Sequence, residues 1–183
     1  MLSLSNILIG ISALATLAGT LFPGIYLFGM NDIFLDQGYY HIYIIQFFSS
    51  VFLHGGIFHL FANSVFVYIF GNQVEDILGA KKYLLFFVIS CVFVGIGVTF
   101  LSDGNTVGIS GFGLAILSYY TLLLRSKKHP DYKGGITAII LSIGIGLMPG
   151  ISLVGHLFGA LFGIIFYLLD RDFYKKCFVG EGV

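Results

Sequence analysis

Apolar residues occupy long stretches of the chain, cut by charges or by Pro/Gly punctuation, and the cuts leave six runs near residues 4–22, 57–74, 83–101, 107–124, 135–148 and 151–169. An α-helix rises about 1.5 Å per residue, so about 20 residues cross a hydrocarbon layer about 30 Å thick. The pattern predicts six membrane-spanning helices. The fifth run is short, yet no charge occurs between Gly134 and Leu169, and Pro149-Gly150 offers a turn. Residues 135–169 therefore predict a hairpin of one short and one longer helix.

The first two runs are joined by a long connection, Phe28 to Gly56, with few charges. Within it HIYIIQFFSSVFL, His41 to Leu53, is too apolar for a solvated loop and too short and broken for another span. It predicts a helix that is re-entrant or lies in the interface, or one that packs over the bundle. No internal repeat, low-complexity stretch or soluble linker interrupts the pattern, and one domain over residues 1–183 is expected.

Composition agrees with this solvent: 57% of the residues are hydrophobic and 10% charged, with a mean hydropathy of +0.97, far toward the membrane class. A net charge of zero implies no nucleic-acid partner. Cys91 sits in an apolar run and Cys177 in a charged tail, so no disulfide is expected between them. Leu2 to Phe22 lacks a basic leading segment and reads as a retained first span rather than a cleaved signal peptide.

Charge placement orients the bundle, because Lys and Arg near span ends stay on the cytoplasmic side. All nine basic residues follow the second, fourth and sixth runs: Lys81, Lys82, Arg125, Lys127, Lys128, Lys133, Arg171, Lys175 and Lys176. The opposite side carries only Asp32, Asp36 and Asp103. Both termini are thus expected in the cytoplasm. With no organelle-targeting feature visible, the expected location is a prokaryotic plasma membrane.

Polar groups inside hydrocarbon cost several kcal/mol when unpaired, so each one within a span needs a reason. His59, Asn63, Ser110 and His156 are the informative ones. Ser110 lies 15 positions before Arg125, His156 14 before Asp170 and His59 16 before Glu75. Three helices therefore carry a polar group at one level, roughly 21 to 24 Å above their cytoplasmic ends. Asn63 falls one turn below His59 on the same face.

A serine hydroxyl becomes a useful nucleophile when an adjacent base takes its proton. His156 would be that base for Ser110, and burial would keep its ring neutral and able to accept. Glu75 and Asp76 belong to the opposite membrane face and Asp103 to the outer loop, so a dyad is expected rather than a triad. His59, Asn63 and the Ser110 backbone N–H could supply the oxyanion donors that acyl transfer needs. Gly108 and Gly111 flank the serine, and Gly155, Gly159 and Gly163 recur every fourth residue, the spacing that lets helices approach closely.

Together, His54-x4-His59-x3-Asn63, Gly108-x-Ser110-Gly111 and Gly155-His156-x2-Gly159-x3-Gly163 resemble the rhomboid family of intramembrane serine proteases. The resemblance implies an all-α, six-transmembrane-helix bundle covering almost the whole chain. It implies cofactor-free hydrolysis of single-span membrane proteins, with no metal, at a site near the extracytoplasmic side. Ser110 matches the family nucleophile, His156 the base, and His59 with Asn63 the oxyanion pair. His54 matches a supporting histidine, although its place before Gly55-Gly56 at a span entrance would suit an interfacial histidine with no special task. Glu75 and Gly79 match structural positions.

Two departures stand out: Leu114 replaces an aromatic that often stacks on the catalytic histidine, and the first outer loop lacks the family's Trp-Arg pair. Gly144 and Gly146 make the short fifth span a candidate lateral gate. The alternatives are a non-proteolytic rhomboid-like binder or chaperone of membrane clients and, in another class, a metal site on His54, His59 and His156. Against the metal, residues five apart on a regular helix point about 140° apart.

Overall fold

The computed structural model describes residues 3–178, with side chains described as far as Asp170. The side chains of Arg171, Lys175, Lys176 and Cys177 lie outside that description. Helix α1 (Leu4–Leu21) leads through a 3₁₀ turn (Pro23–Phe28) and α2 (Ile33–Asp36) to α3 (Tyr40–Phe52). Then come α4 (Ile57–Phe66), a π turn (Val67–Gly71) and α5 (Asn72–Leu78), which form one continuous helix. The chain continues as α6 (Ala80–Leu101), α7 (Ser110–Ser126), α8 (Tyr132–Ile145) and α9 (Leu153–Phe178).

Every apolar run is helical, and four helices are long and apolar enough to cross a membrane: Leu4–Leu21, Ile57–Leu78, Ala80–Leu101 and Leu153–Asp170. The other two runs form shorter helices, α7 with 17 residues and α8 with 14. Residues Gly111 to Tyr119 of α7 are buried without a break, so along that stretch the helix meets other helices.

Several boundaries differ from the sequence expectation, those of α7 and α8 most relevantly for the site. Helix α7 begins at Ser110 rather than near 107, because Gly108 has φ +122°, a backbone state that suits glycine and interrupts a helix. Helix α8 begins and ends three residues before the predicted 135–148. Its last turn closes when the Gly146 N–H bonds the Ile143 carbonyl at 3.0 Å, an i to i−3 contact. The hairpin of α8 and α9 forms as expected, with a turn at Gly150 (φ +80°).

Helix α7 packs against α9 through small residues. A Cβ at Gly159 would overlap the Gly111 carbonyl oxygen, and one at Gly163 the Ala115 carbonyl oxygen. Aromatic side chains fill the other flank: Phe86 of α6 stands 4.3 Å from Phe166 of α9 and 5.5 Å from Phe112 of α7, centroid to centroid.

The region from His41 to Phe52 is helical and Leu53 is its extended cap, with Gln46, Phe47 and Ser50 buried and Phe47 packed with Met30 and Val98. The first outer connection needs no Trp-Arg pair to hold it. Gln46 Nε2 donates to the Leu27 and Gly29 carbonyls at 3.1 and 2.6 Å, and Tyr26 Oη donates to the His54 carbonyl at 2.7 Å. Met30 and Thr106 pair through backbone hydrogen bonds in both directions.

At the opposite end, the buried Glu75 accepts from the backbone N–H groups of Leu4 (2.7 Å) and Ser5 (2.9 Å) and from Ser5 Oγ (2.9 Å). A carboxylate on the first amides of α1 satisfies donors the helix cannot satisfy itself and meets the positive end of its dipole. Asp170 accepts from Lys82 and Tyr119 and so joins α9 to α6 and α7.

Candidate active site

Ser110 is the first residue of α7, His59 the third of α4 and His156 the fourth of α9. Three helix N-termini therefore carry these side chains. Ser152 caps α9, accepting from the Gly155 N–H at 3.0 Å. Nothing caps α7 by a side chain, which leaves the amides of its first turn free to meet an anion.

The pieces meet around Gly108. A Cβ there would come within 2.8 Å of His59 Cε1, 3.0 Å of His59 Nε2 and 3.7 Å of Asn63 Nδ2, so only glycine lets the loop before Ser110 lie against both side chains. The Gly108 N–H is itself fixed by the Ser50 carbonyl at 2.9 Å. On the other side, a Cβ at Gly111 would lie 3.3 Å from the Gly155 carbonyl, which brings the neighbours of Ser110 and His156 into contact. A cavity of about 210 Å³ opens here, lined by Gly55, His59, Asp103, Ser110, Gly150 and Ser152 among others.

The hydrogen bonds assign protons. His59 Nδ1 accepts from the Gly55 N–H at 3.3 Å, so Nε2 carries the proton and is a donor beside Gly108. His156 is the reverse case. Its Nδ1–H donates to the Ser142 carbonyl at 2.7 Å, leaving Nε2 with a free lone pair. Asn63 Nδ2 is buried and, among the described residues, has no hydrogen-bond partner. Ser110 and His156 make no hydrogen bond to each other, and such contacts often tighten only with substrate bound.

His54 departs from its reading as an interfacial histidine without a task, because it is 0% exposed. Its Nδ1–H is shared between the Phe52 carbonyl (3.2 Å) and Thr16 Oγ1 (3.3 Å), and its Nε2 accepts from the Ile109 N–H at 3.5 Å. It thus ties α1 to the residue before Ser110. Burial, and then repulsion from His59, pull its pKa down to about 4. It also precedes the helix, which begins at Ile57, so the 140° separation from His59 does not apply. The two rings meet edge to face at 5.0 Å. Among the described residues no cluster of three His, Cys, Asp or Glu side chains could hold a metal ion.

Among the described residues no aromatic ring pairs with His156. Leu114, at the position where an aromatic was expected, packs with Leu117 and Ala160. The Ser142 carbonyl contact is new relative to the sequence, since a backbone group leaves no residue signature.

A family model described as Rhomboid domain matches residues 41–173. A Rhomboid protease GlpG from Yersinia pseudotuberculosis is 28% identical over 131 residues, covering 67% of this chain and 46% of that protein. One from Yersinia pestis is 33% identical over 83 residues, 45% of this chain and 29% of the other. One from Haemophilus influenzae is 24% identical over 140 residues, 72% of each. The chain thus spans about half the length of the first of these relatives.

Proposed function

Because the chain belongs to the rhomboid family, we propose that it is an intramembrane serine endopeptidase that hydrolyses peptide bonds in or near the spans of single-span membrane proteins. Ser110 Oγ attacks the substrate carbonyl as His156 Nε2 takes its proton. The resulting oxyanion lies among His59 Nε2–H, Asn63 Nδ2–H and the Ser110 N–H. His156 then gives the proton to the leaving amine as the C–N bond breaks, and water, deprotonated by the same nitrogen, releases the acyl group from Ser110. A dyad suffices, and no cofactor takes part.

The observation that carries this reading is Asn63. A buried amide donor with no partner costs about 1–3 kcal/mol, and among the described residues Asn63 Nδ2 has none, although it lies beside Gly108 and His59. A developing oxyanion would be one. The three helix N-termini add positive potential to the same place.

The rest of the reading follows the charges. The chain crosses the membrane six times, as one domain with both termini cytoplasmic, and its active site opens to the extracytoplasmic side of a bacterial inner membrane. Water enters through the cavity at Ser110, and α8 is the lateral gate for a substrate span whose helix must unwind to expose a carbonyl.

The test is cleavage of a generic single-span substrate by purified protein in liposomes, with Ser110→Ala and His156→Ala in parallel. Wild-type cleavage that falls to background in both variants is the expected result. Cleavage surviving in Ser110→Ala rejects the nucleophile, and a folded wild type silent toward several substrates points to a non-proteolytic binder of membrane clients.

A further inference from the structure

Resting on the reading of His156 as the base, we infer that the main-chain carbonyl of Ser142, at the end of α8, is the group that positions it. A Ser-His pair without an acid still needs something to hold the imidazole in one tautomer. Here the Ser142 oxygen accepts from His156 Nδ1 at 2.7 Å. The helix makes little claim on that oxygen. Its regular partner, the Gly146 N–H, is 3.3 Å away and lies closer to the Ile143 carbonyl, at 3.0 Å. Tightening of the last turn thus leaves that oxygen only a shared, longer helical bond and a second lone pair for the ring. With Leu114 packed elsewhere and no aromatic ring against His156, this contact is the ring's one polar restraint among the described residues.

The consequence is that α8 does two things. As it moves aside to admit a substrate span, it withdraws the acceptor from Nδ1, and the ring loses its orientation until α8 returns. Entry and catalysis then alternate.

Gly146 offers a wedge at this place. A Cβ there would meet the Leu153 Cα at 2.8 Å and the Ile143 carbonyl at 2.9 Å, both backbone atoms, so Gly146→Ala pushes the end of α8 from the start of α9. Gly134→Ala, on the same helix, meets nothing within 4 Å and serves as control. Gly146→Ala is expected to lower kcat at least tenfold with KM changed less than twofold. It should slow phosphonylation of Ser110 by a small fluorophosphonate to the same degree, since that probe needs no gate. Gly134→Ala should stay within twofold on every measure.

A folded Gly146→Ala protein with wild-type kcat and labelling rate overturns the inference. If that variant does not fold, nitrogen-15 spectra of histidine-labelled wild type and Ser110→Ala decide: a His156 ring protonated at Nδ1 and bare at Nε2 upholds it, and the opposite tautomer or an average of the two overturns it. This measurement is independent of proteolysis. Nδ1 protonation without cleavage would reject only the proposed function, and cleavage with the other tautomer would reject only the positioning role.

Discussion

Asn63 and His54 are polar side chains held in opposite ways, and each has a measurable signature. Asn63 keeps an unbonded donor at a buried position, so Asn63→Leu, close in volume, is expected to raise the thermal midpoint by a few degrees. The same change should lower kcat about 10²- to 10³-fold, the usual cost of one oxyanion donor. Thermal unfolding and cleavage of one preparation check both. His54 is fully bonded and neutral, with a pKa near 4 against an ordinary 6.5. The unfolded chain therefore binds the extra proton more readily, and stability is complete above about pH 6.5 and declines as pH falls toward 4. Unfolding midpoints measured across that window should fall in wild type and stay flatter in His54→Gln. At this scale the sequence was informative where a polar side chain interrupted an apolar helix, as at His59, Asn63, Ser110 and His156. It said less about His54, matched to a supporting position but also open to an interfacial reading, because its burial depends on Thr16 and Ile109, residues far away in the chain.

Among the elements, the crossing of α7 and α9 is set by glycine. Gly159 faces the Gly111 carbonyl with no room for a methyl group, so Gly159→Ala should cost about 1–3 kcal/mol as an overpacked contact and should separate Ser110 from His156. Loss of cleavage together with a lowered midpoint is the expected outcome, and an unchanged midpoint would show that the helices slide freely. The glycine spacing was legible because small residues recur every fourth position. The π turn at Val67–Gly71 was not, since no residue type marks it in a run that is apolar nearly throughout. Nor was the exact start of α7, which depends on the positive φ of Gly108, or the brace at the end of α8, which is backbone alone.

Taken whole, the molecule turns large apolar side chains outward along its helices: Phe58 is 86% exposed, Leu14 70% and Phe100 68%. In water such a surface would aggregate; in lipid it is the fitted face. The proposed orientation predicts that, with Cys177 replaced by Ser, Asp36→Cys in intact cells reacts with an impermeant maleimide. Lys128→Cys should react only once the membrane is opened, and Cys91, being buried, should give little background. The reverse pattern would invert the topology and put the proposed site in the cytoplasm. That orientation rests on charge placement alone, whereas the cavity at Ser110 came only from the packing of loops. The clamp at Glu75 sets an order for biosynthesis. The amides that open α1 are completed by a side chain about 70 residues later in the chain. Until that carboxylate leaves the ribosome they must be kept wet, so α1 is a helix that has to wait at the water's edge.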